Sequence, residues 1–533
     1  MASTIMMKTQ KRYKFLGGQK TIAECTSGRA VINIIKQILV ATIFIVATFC
    51  VEKDCYAFDD EVSFSITDRK NIDFPDDLKW REKGIKLTDE DGREIKYVLR
   101  DKMVRVYIDD KLVFNTDNNV FVQDMFVADI DSNGGNNRDA RINNKSKEEL
   151  VLLLWKEGRY GIHRPFWVVN DEKEYSQHIF TYNIESEKIK SKWGSSYMGE
   201  VATSMDFKDG ILFLTHDKKC AGAVRRNDGK YETAWEWISF GFERIKPVTI
   251  FVAGDNLIHD PIYIDALNNH NGDFEYIYKK IEGHTKLADL SIINLETPLV
   301  YDPSKYSTYP CFGTPVADAK AIKDAGFDLV TLSTNHRFDK GVTGINDTLK
   351  AVEENDLMHV GSMDEKPYLL VKRGGIVFAL MNYTYGTNGI RPPKGYENGV
   401  NYLSDVERVR EDIREAKANS DFVVVFPHWG TEYRTTPDQY QKKWRDVFYE
   451  EKVDLVVGTH PHVYEDVEMY CKDSEHEMLI YYSLGNYISA NQRAEHNSGG
   501  VGTIEIGLSS DGPVITDYDF EIIDTMYKES KYR

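Results

Sequence analysis

The second half of the chain, from Pro247 onward, alternates short apolar runs with amphipathic stretches, and this alternation restricts the fold more than any other feature of the sequence. The apolar runs are residues 248–253, 290–293, 329–332, 376–381, 422–426, 455–457 and 478–482, and the amphipathic stretches are residues 316–325, 344–355, 406–418 and 437–452. Continuous apolar runs are typical of strands buried on both faces, and helical crossovers connect parallel strands. The sequence therefore predicts an α/β architecture with parallel strands.

Polar side chains that can bind metal ions follow these apolar runs. They are Asp255, Asn294, Glu296, Asn335, His336, His428, His460, His462 and Asn486. Because the carboxyl ends of parallel strands open onto a common crevice, residues far apart in the chain can meet there. Carboxylates, asparagines and histidines together suit Mn, Fe or Zn, and the number of donors fits two ions. Glu432 and Tyr433, shortly after His428, could orient a metal-binding side chain without binding the metal themselves.

The motifs around these residues also resemble a known family. They are GDNLIH at Asp255, NLETPL at Asn294 and Glu296, TNHRFDKG at Asn335, His336 and Asp339, HWGTEY at His428, GTHPHV at His460 and His462, and YSLGNYI at Asn486. In this order they resemble the CapA family of poly-γ-glutamate capsule proteins over residues 249–506. The fold of that family is similar to the calcineurin-like metallophosphoesterases, in which an α/β sandwich holds a two-metal centre in its strand-end loops.

The resemblance implies a role for each matched residue. The residues expected around the metals are Asp255, Glu296, Asn335, His428, His460 and His462. His336 is expected beside them as an acid/base, so that His336, Asp255 and His428 are the expected catalytic residues. Two departures from the family pattern concern the substrate side, since Thr334 stands where another Asn is usual and His259 where an Arg is common.

Residues 58–246 lie outside the resemblance and follow a different pattern. Short alternating runs, such as residues 104–108 and 211–214, are separated by turn clusters, which predicts a β-rich domain, a sandwich or a propeller-like array, ahead of the domain at 247–533. Its many tryptophans and tyrosines form either a polymer-binding face or core contacts. Residues 129–134 resemble the start of a calcium loop, but Ala140 at the twelfth position excludes the helix-loop-helix type. A looser loop closed by Glu148 or Glu149, or a plain turn, remains.

Residues 1–57 have the pattern of a targeting segment. A basic stretch precedes the uncharged run at residues 37–51, which predicts a signal peptide or an N-terminal membrane anchor. Either one would place the rest of the chain outside the cytoplasm, at the cell surface. After Ala57 only Cys220, Cys311 and Cys471 remain, which fits one disulfide with a free thiol or three free thiols.

The net charge of -18 argues against a nucleic-acid partner, because binding to phosphates needs a positive surface. The first functional hypothesis is an extracytoplasmic enzyme of capsule biosynthesis that hydrolyses or transfers γ-glutamyl amide bonds, with divalent metals and with His336 protonating the leaving amine. The alternatives are a metal-dependent phosphoesterase, and a non-catalytic protein that binds an anionic polymer such as poly-γ-glutamate beside capsule-synthesis membrane proteins. The basic residues that could neutralise the polymer, or could be ordinary surface charge, are Arg337, Lys340, Arg373, Arg391, Lys394 and Arg434.

Overall fold

The computed structural model describes residues 12–13 and 74–524, apart from gaps at 77, 90, 131–147, 163, 186–187, 227, 473–475 and 491–497. These residues form two compact units, one with residues 12–13, 247–507 and 513–524 and the other with residues 74–246 and 508–512. Nearly all of the predicted targeting segment and most of the predicted calcium loop lie outside the described residues. Among the residues described, no helix is long and apolar enough to span a membrane.

The unit formed by residues 74–246 consists of three antiparallel sheets that follow one another along the chain. The first contains β2 (Lys83–Thr88), β3 (Glu94–Arg100), β4 (Met103–Ile108) and β5 (Lys111–Asn115). The second contains β6 (Phe121–Ala128), β7 (Glu149–Glu157), β8 (Tyr175–Glu185) and β9 (Lys188–Gly194). The third contains β10 (Ser204–Lys208), β11 (Ile211–His216), β12 (Val224–Arg225), β13 (Tyr231–Ile238) and β14 (Gly241–Arg244).

Strand β7 shows why these sheets stack rather than form a two-sheet sandwich. Leu150, Leu152 and Leu154 pack into a core shared with the first sheet, whereas Val151 and Leu153 pack into a core shared with the third. Successive side chains of a strand point to opposite faces, so a continuous apolar run can fill two cores at once. The predicted β-rich region is therefore three stacked sheets, an arrangement nearer to propeller blades than to a sandwich.

The other unit contains two mixed sheets. The first has the order β1-β29-β28-β15-β16-β19-β20, with β27 also paired to β15. Its strands are β1 (Arg12–Tyr13), β15 (Val248–Asn256), β16 (Leu290–Leu295), β19 (Leu329–Thr331), β20 (Met358–Val360), β27 (Asn486–Ile488), β28 (Ser498–Ser509) and β29 (Gly512–Asp524). Strands β15, β16, β19 and β20 are parallel, and β28 is antiparallel to β15.

The second sheet has the order β21-β22-β23-β24-β26-β25. Its strands are β21 (Tyr368–Arg373), β22 (Ile376–Thr384), β23 (Phe422–His428), β24 (Leu455–Val457), β25 (Val467–Tyr470) and β26 (Met478–Tyr481). The four central strands are parallel and the two edge strands are antiparallel to them. A separate pair, β17 (Leu299–Val300) and β18 (Thr314–Pro315), lies in the loop between β16 and β19, together with a 3-10 helix at Pro303–Lys305.

Helices cover each sheet through one apolar face. Helices α1 (Asp260–Asn269), α2 (Glu275–Tyr278), α3 (Glu282–Thr285), α4 (Ala317–Asp324) and α5 (Gly341–Glu354) accompany the first sheet, and α6 (Val406–Ala418) and α7 (Gln439–Glu450) the second. The spacing of Val409, Ile413 and Ala416 places these residues on the buried side of α6, against β22 and β23. The predicted apolar runs are all strands and the predicted amphipathic stretches all contain helices, so the predicted α/β sandwich preceded by a β-rich region is confirmed.

Candidate metal centre

The carboxyl ends of the parallel strands bring the predicted metal-binding side chains together. Asp255 lies at the end of β15 and His428 at the end of β23, so both sheets contribute. The other predicted residues follow β16, β19 and β24, and they are Glu296, Asn335, His336, His460 and His462. All seven residues are buried, with exposed fractions of 5% or less.

Asp255 is fixed by three hydrogen bonds. The side-chain amide of Asn294 donates to its Oδ1 at 2.7 Å, and the backbone N–H of His460 donates to its Oδ2 at 3.1 Å. Its own backbone N–H donates to the carbonyl oxygen of Gly485 at 2.9 Å. These bonds join β15 to the end of β16 and to residues that follow β24 and β26, so the position of the carboxylate depends on several strand ends at once.

Glu296 lies at the middle of the cluster. Its Oε1 is 3.8 Å from His428 Nε2 and 3.9 Å from His462 Nε2. Within the part of the chain that the structure describes, neither carboxylate oxygen of Glu296 has a hydrogen-bond partner, although both are buried, and the same is true of His460 Nδ1. Since buried polar atoms are almost always hydrogen-bonded in folded proteins, these three atoms need another partner.

Three overlapping groups of side chains could hold a metal ion, because their ligand atoms lie within 4.8 Å of one another. The groups are Asp255, Glu296 and His462; Glu296, His428 and His460; and Glu432, His460 and His462. Glu296 belongs to the first two groups and would serve as a ligand in either of them. Asn335 Oδ1 lies 3.0 Å from His428 Nε2, so it would add an amide oxygen to the donors beside these groups.

The electrostatics of the cluster favour a cation. Burial, and after it the charge of Asp255, raises the pKa of Glu296 well above its usual range. Burial lowers the pKa of His428 and of His460 well below the usual value, which keeps both imidazoles neutral and able to bind metal. Burial also acts to lower the pKa of His462, but the carboxylates of Glu296 and Asp255 outweigh it and raise this pKa to about 9. The buried carboxylates thus draw positive charge into the pocket, and the donor set fits divalent ions.

His336 lies beside this cluster and is held by a different set of contacts. Its Nδ1 is 2.8 Å from Asp339 Oδ2, which also accepts the backbone N–H of Phe312 at 2.7 Å. The ring of Phe312 meets the imidazole edge-on, with centroids 4.7 Å apart. A carboxylate can only accept a hydrogen bond, so Nδ1 of His336 carries the proton that is shared with Asp339. The other nitrogen, Nε2, is then available to accept a proton.

Further residues complete the surroundings of the site. Thr459 Oγ1 lies 3.0 Å from His428 Nδ1, and Asn486 Oδ1 lies 3.0 Å from His462 Nδ1, so each imidazole is oriented through its second nitrogen. The ring of Tyr385, after β22, lies 4.5 Å from that of His460. The role of Thr459 was not visible in the sequence, whereas Tyr385 follows an apolar run and obeys the same strand-end rule as the ligands.

Two of the basic residues expected near the polymer are placed elsewhere. Arg337 is buried, with its Nε donating to Ser362 Oγ at 3.0 Å, so it cannot meet a polymer at the surface. Arg373 ends β21, which is antiparallel to β22, and therefore lies at the opposite end of the sheet from His428. Cys220 and Cys311 form no disulfide in the described part of the chain, which argues against the disulfide alternative.

The described fold is an α/β sandwich with the candidate metal ligands at its strand ends. Similar solved structures include the calcineurin-like phosphoesterase YfkN from Bacillus subtilis, with a TM-score of 0.34 and 14% identity over 53% of this chain and 93% of that chain. Another is the NAD nucleotidase NadN from Haemophilus influenzae, with a TM-score of 0.34 and 15% identity over 51% of this chain and 55% of that chain.

The sequence comparisons are more specific. The profile of the family described as bacterial capsule synthesis protein PGA_cap matches residues 249–491. The capsule biosynthesis protein CapA of Bacillus anthracis is 28% identical over 45% of this chain and 59% of its own length, and the PGA biosynthesis protein CapA of Bacillus subtilis is 29% identical over 42% and 60%. Residues 249–491 are therefore similar to the PGA_cap family of bacterial capsule synthesis proteins. The chain spans about three fifths of the length of these two relatives.

Proposed function

We propose that this protein is a metal-dependent hydrolase or transferase of the bacterial cell envelope that acts on γ-glutamyl amide bonds of an anionic capsule polymer. The observation that carries the proposal is the pair of buried Glu296 oxygens without a partner, surrounded by other donors suited to divalent metals. The choice of polymer is supported by the names of the relatives, which are proteins of capsule and PGA biosynthesis.

The residues that would hold two divalent ions are Asp255, Glu296, Asn335, His428, His460 and His462. When bound, such ions polarise the scissile group and stabilise the negative charge that develops on it. The protein contributes rigidity, because Asn294 holds Asp255 at 2.7 Å and buried neighbours orient the imidazoles. The centre is thus organised before substrate binds, which lowers the cost of reorganisation during the reaction.

His336 is proposed to transfer a proton to the leaving group. The hydrogen bond from Nδ1 to Asp339 fixes the tautomer, so Nε2 is the atom that gives and takes the proton. Phe312, packed edge-on against the ring, restricts its rotation and keeps water from one side. The same arrangement suits a leaving amine or a leaving alkoxide, and cleavage of a phosphoester is therefore the second candidate, favoured by the Glu296 carboxylate shared between two ligand groups.

Exposed basic residues near the mouth of the site are proposed to meet the polyanion. Arg391 and Lys394 follow the loop that begins with Tyr385, and Arg434 follows His428 by a few residues. The predicted signal peptide or anchor and the predicted capsule-synthesis membrane proteins belong to the same proposal, which places the enzyme outside the cytoplasm.

The first test is the metal content of the full chain by elemental mass spectrometry, with the double variant His460→Ala, His462→Ala in parallel. Near-stoichiometric metal in the wild type and its loss in the folded variant are expected. A wild type that stays metal-free after reconstitution with Mn, Fe or Zn would overturn the metal-dependent activity and favour polymer binding alone. Loaded protein is then incubated with poly-γ-glutamate and with a chromogenic phosphodiester, and cleavage of the second but not the first would move the function to phosphoester hydrolysis.

A further inference from the structure

Glu432 is an exposed carboxylate at the mouth of the candidate centre. It lies in the loop between β23 and α7, and its carboxylate, His460 and His462 offer ligand atoms within 4.8 Å of one another. Among the described residues it forms no hydrogen bond and no ion pair. An exposed glutamate without a partner is common on protein surfaces, so position alone does not give it a role.

A second, independent observation concerns His460. Only 2% of this residue is exposed, and its Nδ1 has no hydrogen-bond partner in the described part of the chain. His428 and His462, in contrast, each have a polar partner close to Nδ1. A buried imidazole nitrogen without a partner is costly unless something binds to it.

The loop that carries Glu432 is fixed against the loop that carries the two histidines. The backbone N–H of Trp429 donates to Thr459 O at 3.0 Å, and that of Tyr433 donates to Pro461 O at 2.7 Å. On the other side, Thr431 Oγ1 donates to Asp438 Oδ2 at 2.7 Å, and Asp438 is the capping residue of α7. Glu432 is therefore bracketed by two anchored neighbours, and its distance from His460 and His462 is set by the fold.

We propose that Glu432 is a metal ligand on the solvent side of the centre, binding a divalent cation together with His460 and His462. This inference rests on the metal centre proposed above and adds a residue to it. The inner carboxylates Asp255 and Glu296 are buried, whereas Glu432 is exposed and can exchange its metal contact for a substrate group or water. Glu432 is thus the proposed ligand that substrate reaches first.

The test compares the full-length wild type with Glu432→Gln, which removes the charge and keeps the shape. Glu505→Gln is the matched control, because Glu505 is also exposed and pairs with Thr249 at the opposite end of β15 from Asp255. Metal-free proteins are titrated with Co²⁺, and both the binding isotherm and the visible absorption of the bound ion are recorded. The absorption depends on the atoms bound to the ion, so it separates ligation from a long-range effect of charge.

We expect Glu432→Gln to weaken one class of Co²⁺ sites by at least about tenfold and to change its absorption, with Glu505→Gln indistinguishable from the wild type. If the wild type binds Co²⁺ and Glu432→Gln gives the same isotherm, Glu432 is not a ligand, and the centre formed by the buried residues is unaffected. Weaker binding with an unchanged absorption spectrum also overturns it, since the charge would then act without ligation. A wild type that binds no Co²⁺ overturns the metal centre itself.

Discussion

Replacing Gly254 with alanine tests how closely the strand that carries Asp255 approaches its neighbours. A Cβ atom at position 254 would lie 1.9 Å from the carbonyl oxygen of Gly485. Carbon–oxygen contacts in proteins lie at about 3.3–3.6 Å, so the two backbones must separate by about 1.4 Å. The same carbonyl accepts the N–H of Asp255 at 2.9 Å, and this separation would break that bond. Overpacking and the lost hydrogen bond together should lower the free energy of unfolding by about 2–4 kcal/mol.

The assay is urea denaturation of the metal-free protein, followed by tryptophan fluorescence, so that ligand binding does not contribute to stability. Gly283→Ala is the matched control, because a Cβ there meets nothing within 4 Å and the residue lies in α3. Alanine in a helix is better than glycine by about 1 kcal/mol, so the control should be neutral or stabilised. Metal affinity of Gly254→Ala should also fall, because the Asp255 carboxylate moves. A stability within about 0.5 kcal/mol of the wild type would refute the close approach.

Three further predictions follow from the site and its surroundings. His336→Ala should lower turnover by about 10²–10⁴-fold while metal content stays constant; loss of metal would make His336 a ligand instead. Chelation should lower the melting temperature of the wild type but not of the His460→Ala, His462→Ala variant, as thermal denaturation would show. Burial raises the pKa of Asp318 to about 6. The proton on Asp318 therefore contributes to the free energy of unfolding fully below about pH 4, and this contribution, about 3 kcal/mol, is lost as the pH rises through 6. The Asp318→Asn variant should not show this loss, and urea midpoints that change equally in the wild type and the variant from pH 4 to 7 would contradict the prediction.

Sequence patterning was sufficient for the strands and helices of residues 247–524 but not for their division between sheets. The runs at β15, β16 and β19 and those at β22, β23 and β24 are equally apolar, because every one of these strands is buried on both faces. Periodicity reports burial and not the identity of the neighbouring strand. Which strands pair is decided by packing, such as the contact of β28 with β15, which no local pattern reveals.

The candidate site was predictable to the extent that it follows the rule for strand ends. That rule brings Asp255, Glu296 and His428 together from their sequence positions alone. The rule fails for Arg337. This residue directly follows His336, yet its side chain is buried and donates a hydrogen bond to Ser362. The rule also gives no information on Thr459, since a threonine in a loop has no distinguishing pattern and acquires its role only through the 3.0 Å contact with His428.

His460 and His462, in the loop after β24, both have a strained backbone conformation. His460 has a φ of 99° and His462 a φ of 62°, in the left-handed region that favours glycine. A residue with a Cβ in that region costs on the order of 1 kcal/mol or more relative to glycine, and such strain persists only where the surroundings hold it. Here they do, because Thr459 and Pro461 are bonded to Trp429 and Tyr433 of the neighbouring loop. Glycine would relieve the backbone at both positions but would remove both imidazoles. The presence of histidine at two strained positions, each with its ring among the buried carboxylates, therefore indicates that the side chains are needed more than an unstrained backbone, as a metal centre requires.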